Sequence, residues 1–209
     1  MKNSVLTIML IIFSISPALQ LSAQHKNADQ KADSVLALMT LEEKVGQLNQ
    51  YNDDWFATGP MTLKEDMAGQ IRDGKVGSLL NTMGAARTRA WQEIAMQSRL
   101  RIPLIFGQDV VHGYKTTFPI PLAESCSWDL EAMESSARVA ASEGSACGVH
   151  WTFAPMVDIA RDPRWGRVME GAGEDTYLGS KIAAARVKGF QGEQPGSTGS
   201  LIACAKHYA

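Results

Sequence analysis

This 209-residue chain has no large excess of positive or negative charge: Lys and Arg total 20 against 22 for Asp and Glu, a net charge of −2. Proteins that bind nucleic acid or an anionic membrane surface carry a basic patch or a basic composition. Neither partner is therefore expected, and a neutral substrate fits the charge balance better. The composition, 45% hydrophobic and 20% charged, is that of a globular domain with a sizeable core.

A continuous apolar run long enough to span a bilayer is also missing at the start of the chain. The apolar run from Val5 to Leu21 is broken by polar residues and a proline and ends at the small residues Ser22 and Ala23. A spanning helix needs ~20 predominantly apolar residues, so residues 1–23 fit a secretory signal peptide better than an uncleaved anchor helix. We predict cleavage before Gln24 and an exported mature chain, periplasmic or secreted, with no membrane partner. The intact mass of the exported protein tests this, and a product that keeps its first residue would mean an anchor.

Cysteine is scarce, with three residues far apart in runs of small or apolar residues: Cys126, Cys147 and Cys204. Their spacing is not that of a metal site, and we interpret them as buried small hydrophobic groups. Because their number is odd and the chain is expected to be exported, a disulfide between two of them stays open.

Short apolar runs alternate with helical patterns along most of the chain. A helical pattern begins at residue 28, and Thr40 with Glu43 has the spacing of a capping box ahead of a second helix. Four strand-length runs follow, at residues 76–80, 102–106, 149–153 and 201–205, separated by helical patterns at 85–100, 130–146 and 177–190. Near-continuous apolar strands between helices predict an α/β fold with a parallel sheet.

A doubly wound sheet and a (β/α)8 TIM-like barrel both fit this alternation. Polar residues favour the barrel, because barrel enzymes gather their sites at the carboxyl ends of several strands. Asn81, Asp109, the segment ending at Asp158, and Lys206–His207 each follow a predicted strand. A glycine-rich phosphate loop is absent, which disfavours dinucleotide binding. About four βα units are visible where a barrel has eight, so we expect residues 24–209 to be the N-terminal part of a barrel domain, incomplete at the C-terminus.

Two segments concentrate groups that suit sugar recognition. Asp109, with His112 and Lys115, follows a strand, and a carboxylate can accept charge-assisted hydrogen bonds from two hydroxyls. The alternative is that Asp109 caps a helix and His112 is a structural histidine. Residues 161–175 hold three arginines and four acids in a backbone shaped by proline and glycine. We expect most of these charges to form a structural ion-pair network and one arginine to face the sugar.

Together these segments resemble glycoside hydrolase family 3, the β-glucosidase family. The resemblance covers nearly all of the mature chain and rests on four motifs in order: residues 39–48, 109–119, 161–175 and 205–208. It implies a barrel first domain, a second α/β sandwich domain beyond this chain, and removal of non-reducing β-linked glucose with net retention.

By position, the resemblance implies roles for five residues. Asp109 is expected to grip outer hydroxyls of the sugar, Arg167 and Lys206 to hold the same ring, and His207 to assist beside them. Lys115 is the fifth substrate-binding candidate, at a position where relatives often carry arginine.

The catalytic pair is not expected in this chain. Retaining glycosidases need a carboxylate nucleophile and a carboxylic acid about 5 to 5.5 Å apart. The resemblance places the nucleophile on a later barrel strand and the acid commonly in the second domain, so Asp158 and Glu170 are not assigned either role. The chemistry needs no cofactor, and no metal site is expected.

The sequence therefore predicts the N-terminal part of an exported exo-β-glucosidase that acts on β-linked glucosides or oligosaccharides and is inactive alone. β-Xylosidase stays open as an alternative. β-N-acetylhexosaminidase is disfavoured, because Tyr208–Ala209 follow Lys206–His207 where those relatives continue into a Phe-Pro-Gly-His loop. A non-catalytic sugar-binding module is the alternative from another class, although its open sheet edges would make a poor stable fold.

Overall fold

The computed structural model describes residues 17–53 and 66–208, with side chains from residue 27 onward. The predicted signal peptide, residues 1–23, lies mostly outside this part of the chain and stays a prediction. None of the helices in the described ranges combines the length and apolarity needed to cross a membrane. The chain divides into two compact units, Met1–Lys44 and Val45–Ala209.

The predicted capping box lies in the first unit. Helix α1 spans Pro17–Leu38, and α2 spans Leu41–Gln47. The Thr40 N–H donates to the Glu43 carboxylate at 2.9 Å, and the Glu43 N–H donates to Thr40 Oγ1 at 3.2 Å. These reciprocal bonds satisfy two donors that a helix start leaves without partners, which confirms the predicted start of α2.

The second unit is built on a five-stranded parallel sheet whose strand order follows the chain, β1-β2-β3-β4-β5. The strands are β1 (Gln50–Asn52), β2 (Ser78–Leu80), β3 (Ile105–Gln108), β4 (Trp151–Thr152) and β5 (Ile202–Ala203). A doubly wound sheet reverses its order at a switch point, whereas a barrel wall adds each strand beside the last. The observed order therefore confirms the α/β prediction and has the arrangement of a barrel wall.

Helices connect these strands and follow the predicted patterns closely. They are α3 (Met67–Arg72), α4 (Ala85–Ala95), α5 (Pro121–Ser125), α6 (Leu130–Ala146) and α7 (Thr176–Gln191), with a 3-10 turn at Val168–Glu170. Asp129 and Asp175 accept hydrogen bonds from N–H groups in the first turns of α6 and α7, at 2.9 and 2.6 Å, which explains where these helices begin. Helices α3 and α5 and strand β1 were not predicted.

Two hydrophobic clusters support the sheet. One joins Tyr51, Leu79 and Phe106 of the first three strands to the helices between them. The other packs small residues of α6, among them Ala137 and Ala141, against the region around β4 and β5. A Cβ at Gly189 of α7 would lie 2.4 Å from the Glu134 carbonyl oxygen, so α6 and α7 approach too closely for any larger residue there. This packing fixes the two helices that precede the last two described strands.

The cysteines correct one expectation. All three are free, so no disulfide joins them. Cys147 is buried as predicted, but Cys126 and Cys204 are exposed, and their interpretation as buried groups is wrong. Cys126 ends the short helix α5, with its Sγ 3.3 Å from the Leu122 carbonyl oxygen, and Cys204 follows β5 at the edge of the described sheet, where its side chain is left uncovered.

Candidate functional site

The candidate site lies at the carboxyl edge of β3, β4 and β5. Asp109 directly follows β3, and Asp158 lies in the loop after β4. Beyond β5, Lys206 pairs with Met156 in a parallel bridge, and the Val157 N–H donates to the Lys206 carbonyl oxygen at 2.7 Å. These backbone bonds prolong the ladder past the strands proper and carry Lys206 and His207 to the edge where barrel enzymes place their sites.

Asp109 and Lys206 form the first contact of the site. Lys206 Nζ donates to Asp109 Oδ1 at 2.6 Å. The lysine side chain is 13% exposed, whereas the aspartate side chain is 50% exposed and open to a ligand. No helix of the described chain begins at Asp109, since the next one, α5, starts at Pro121. The helix-capping alternative for Asp109 is therefore wrong.

His207 lies between a carboxylate and a guanidinium. Asp158 Oδ2 is 3.0 Å from the His207 backbone nitrogen and 2.9 Å from Nδ1, and Arg167 Nη1 is 3.1 Å from Nε2. Burial opposes ionisation of Asp158, but the hydrogen bonds from His207 outweigh it and hold the pKa of Asp158 below its ordinary value. Asp158 is therefore ionised at neutral pH.

Arg167 is held by a second carboxylate. Its Nε and Nη2 donate to the two oxygens of Glu170 at 2.6 and 2.7 Å, a bidentate geometry that fixes the plane of the guanidinium. The hydrogen bonds to Glu170 raise the pKa of Arg167 and lower that of Glu170, while burial opposes each shift. Nearby, Arg164 forms an exposed pair with Asp162. Two ion pairs of the expected kind are present in residues 161–175, Arg164 with Asp162 and Arg167 with Glu170, and the expectation that one arginine faces the sugar stays a prediction.

Four of the five predicted substrate-binding residues thus come together: Asp109, Arg167, Lys206 and His207. The fifth, Lys115, is not among the residues that these contacts join. Its backbone N–H donates to Glu143 Oε2 at 2.8 Å, its side chain is exposed, and its sugar-binding role stays a prediction.

His112 fits the structural alternative. Its Nδ1 lies 3.2 Å from the Phe118 carbonyl oxygen, within the same loop.

Asp158 is the residue of this site to which sequence reasoning assigned no role. A signal was present, because Asp158 lies just beyond the predicted strand at 149–153, as Asp109 lies beyond the one at 102–106. Sequence reasoning considered it as a catalytic carboxylate and did not consider it as the partner of a neighbouring histidine.

The arrangement suits recognition of a polyhydroxylated neutral ligand. It offers an exposed carboxylate as acceptor, beside an ammonium and a guanidinium that are each held by a carboxylate. Among the described residues, no group of three or more His, Cys, Asp or Glu side chains is placed to hold a metal ion.

Comparison with known proteins gives consistent relatives. The glycosyl hydrolase family 3 N-terminal domain matches residues 40–209. A periplasmic β-glucosidase of Salmonella typhimurium is 41% identical over 206 residues, covering 95% of this chain and 26% of its own length. A lysosomal β-glucosidase of Dictyostelium discoideum is 31% identical, covering 93% of this chain and 28% of its own length.

Solved structures agree with these relatives. The crystal structure of a β-glucosidase from Listeria innocua in complex with isofagomine superposes with a TM-score of 0.78 at 42% identity, covering 86% of this chain and 26% of that one. The chain thus spans about a quarter of the length of the proteins it matches.

Proposed function

Because the chain belongs to glycosyl hydrolase family 3, we propose that it is the N-terminal part of an exported, retaining exo-β-glucosidase that removes terminal non-reducing β-D-glucosyl residues. The observation that carries this proposal is the cluster of Asp109, Lys206, His207 and Arg167 at the carboxyl edge of the sheet. Export is supported by the apolar start of the sequence and by the periplasmic β-glucosidase to which the chain is similar.

The cluster supplies the grip on the sugar ring. Asp109 is half exposed and can accept hydrogen bonds from two neighbouring hydroxyls, while Lys206 keeps its carboxylate in place. Arg167 retains N–H donors beyond those used by its contacts with Glu170 and His207, and these donors can bind hydroxyl oxygens. A neutral sugar is matched by donors and acceptors together, without a large net charge in the site.

The reaction itself needs residues outside this chain. A retaining mechanism uses one carboxylate as nucleophile and a second carboxyl group as acid and then base. We place both beyond Ala209, in the longer protein of which this chain would be about the first quarter, and call that longer protein the full-length protein. The test is hydrolysis of an aryl β-D-glucoside by the full-length protein, with the β anomer of glucose as the first product. Faster cleavage of an aryl β-D-xyloside would favour a β-xylosidase instead.

We predict that the 209-residue chain alone does not hydrolyse an aryl β-glucoside, because it lacks both members of the catalytic carboxylate pair. The measurement compares release of the aryl group by the purified chain with release in buffer, and the full-length protein serves as the active reference. Turnover that survives rigorous purification would show that the catalytic residues lie within residues 24–209.

A further inference from the structure

We infer that Asp158 is a positioning residue of this site: it sets the tautomer of His207 and, through that ring, orients the guanidinium of Arg167. The inference deepens the proposed function and rests on it for its activity readout. The tautomer itself can be measured without any activity.

The proton on Nδ1 of His207 follows from the chemistry of its partner. Asp158 Oδ2 lies 2.9 Å from Nδ1 and 3.0 Å from the backbone nitrogen of the same residue. An ionised carboxylate has no proton to give and can only accept hydrogen bonds. Nδ1 must therefore donate, and one oxygen of Asp158 holds both the ring and the backbone of His207.

The protonation of the other ring nitrogen, Nε2, follows from its neighbour Arg167, which can only donate. Arg167 Nη1 lies 3.1 Å from His207 Nε2. A guanidinium carries only donors and does not lose its proton in proteins. Nε2 must therefore accept, which requires that it carry no hydrogen. Of the three forms of the imidazole, only the neutral Nδ1–H tautomer satisfies both neighbours, because either other form sets an N–H group against the guanidinium N–H.

With His207 in the Nδ1–H tautomer, Arg167 has hydrogen-bond acceptors on two sides, Glu170 and His207. Glu170 receives the hydrogen of Nε and one hydrogen of Nη2, and His207 receives one hydrogen of Nη1. A guanidinium has five N–H donors, so one hydrogen on each terminal nitrogen is left for a ligand. If His207 changed its tautomer, Nη1 would lose its acceptor, and the guanidinium would be held from the Glu170 side alone. Asp158 thus acts on Arg167 through the ring of His207.

The first experiment reads the tautomer directly. In the full-length protein labelled with ¹⁵N-histidine, the chemical shifts of the two ring nitrogens distinguish the tautomers, and His207 is identified by the signal that His207→Gln removes. We expect the Nδ1–H form in the parent protein. In Asp158→Ala the Nδ1 hydrogen has lost its acceptor and only Arg167 still favours this form, so we expect the Nε2–H form to become populated beside it. An Nε2–H form in the parent, or the same form in both proteins, would overturn the inference.

The second experiment is a double-mutant cycle on kcat/KM for an aryl β-glucoside. Asp158→Ala should lower kcat/KM about tenfold, the loss expected when a hydrogen bond donated to a charged positioning group is removed. Asp158→Asn, whose amide oxygen can still accept both bonds, should stay within about threefold of the parent. In a His207→Ala background, Asp158→Ala should cost less than about twofold, because the ring through which it acts is gone.

The possible results distinguish failure of the inference about Asp158 from failure of the proposed β-glucosidase function. Additive losses in the cycle would assign Asp158 a role independent of His207 and overturn the inference, while the proposed function would stand. Absence of β-glucosidase activity in the parent would remove the proposed function, and the tautomer measurement would still decide the inference.

The matched control is Asp162→Ala, four positions along the same loop in an exposed ion pair, which should leave kcat/KM within about threefold of the parent value. Melting temperatures of all variants show that each is folded.

Discussion

Asp109→Ala in the full-length protein is expected to lower kcat/KM for an aryl β-glucoside by more than about a hundredfold, and Asp158→Ala by about tenfold. The difference follows from what each carboxylate faces. Asp109 is half exposed at the carboxyl edge of the sheet and can hold two hydroxyls of the reacting ring, whereas Asp158 is engaged by His207. Loss of two charge-assisted hydrogen bonds corresponds to about 3 kcal/mol or more of transition-state stabilisation.

Lys206→Ala should behave like Asp109→Ala, because the ammonium both holds that carboxylate and lies in the same site. Removing Asp109 also leaves Lys206 without its carboxylate partner, so melting temperatures must accompany the kinetics. The matched control is again Asp162→Ala, which removes an aspartate from an exposed pair. Near-parental kcat/KM in a folded Asp109→Ala variant would contradict the sugar-gripping role.

Periodicity predicted the helices best where apolar spacing and caps agree. The predicted bounds of α6 equal the observed Leu130–Ala146, because a stripe of small buried residues and an aspartate cap mark the same helix. Helix α4 ends at Ala95 rather than at residue 100, and beyond it Arg101 takes a positive φ of 53°. Strand β1 escaped prediction because it is three residues long with Tyr51 alone buried, so it offers no alternating or apolar run.

The sequence could predict those residues of the candidate site that lie at the carboxyl ends of strands. Asp109 and Lys206 are 97 positions apart, yet each lies at the carboxyl end of a strand in one parallel sheet, and the sheet brings them into contact. The partner of His207 was not predictable in the same way. It depends on the path of the loop after β4, which the bridge between Met156 and Lys206 fixes and which no sequence period encodes.

A buried charge behind the site gives the second large expected effect. Arg186→Met is expected to lower the free energy of unfolding by about 3 to 5 kcal/mol, the usual cost of removing one partner of a buried ion pair. Arg186 and Glu124 are 4% and 9% exposed, and Nη1 donates to Glu124 at 2.5 Å. Burial lowers the pKa of Arg186, with Glu124 opposing the shift. The arginine stays charged because guanidinium groups do not lose their proton in proteins.

The pair ties α7 to two other parts of the chain. Arg186 Nη2 donates to the carbonyl oxygen of Val111, two residues beyond Asp109, and Glu124 belongs to α5. Removing the guanidinium therefore leaves a buried carboxylate and a partly buried carbonyl without a donor, which is why the cost exceeds that of an exposed pair. The midpoint of urea unfolding, followed by pulse proteolysis of the full-length protein, measures the loss. Arg164→Met, in the exposed pair with Asp162, is the matched control and should change stability by less than about 1 kcal/mol.

A compensating variant tests whether the cost comes from the orphaned carboxylate. Arg186→Met combined with Glu124→Leu removes both charges and fills the space with apolar groups, and such replacements of buried pairs are often neutral or stabilising. We expect the double variant to recover most of the stability lost in Arg186→Met, though not the bond to the Val111 carbonyl. If Arg186→Met is no less stable than Arg164→Met, the pair does not hold the loop after β3 in place. If the double variant is as unstable as the single one, the stabilisation comes from the bond to Val111 rather than from the ion pair.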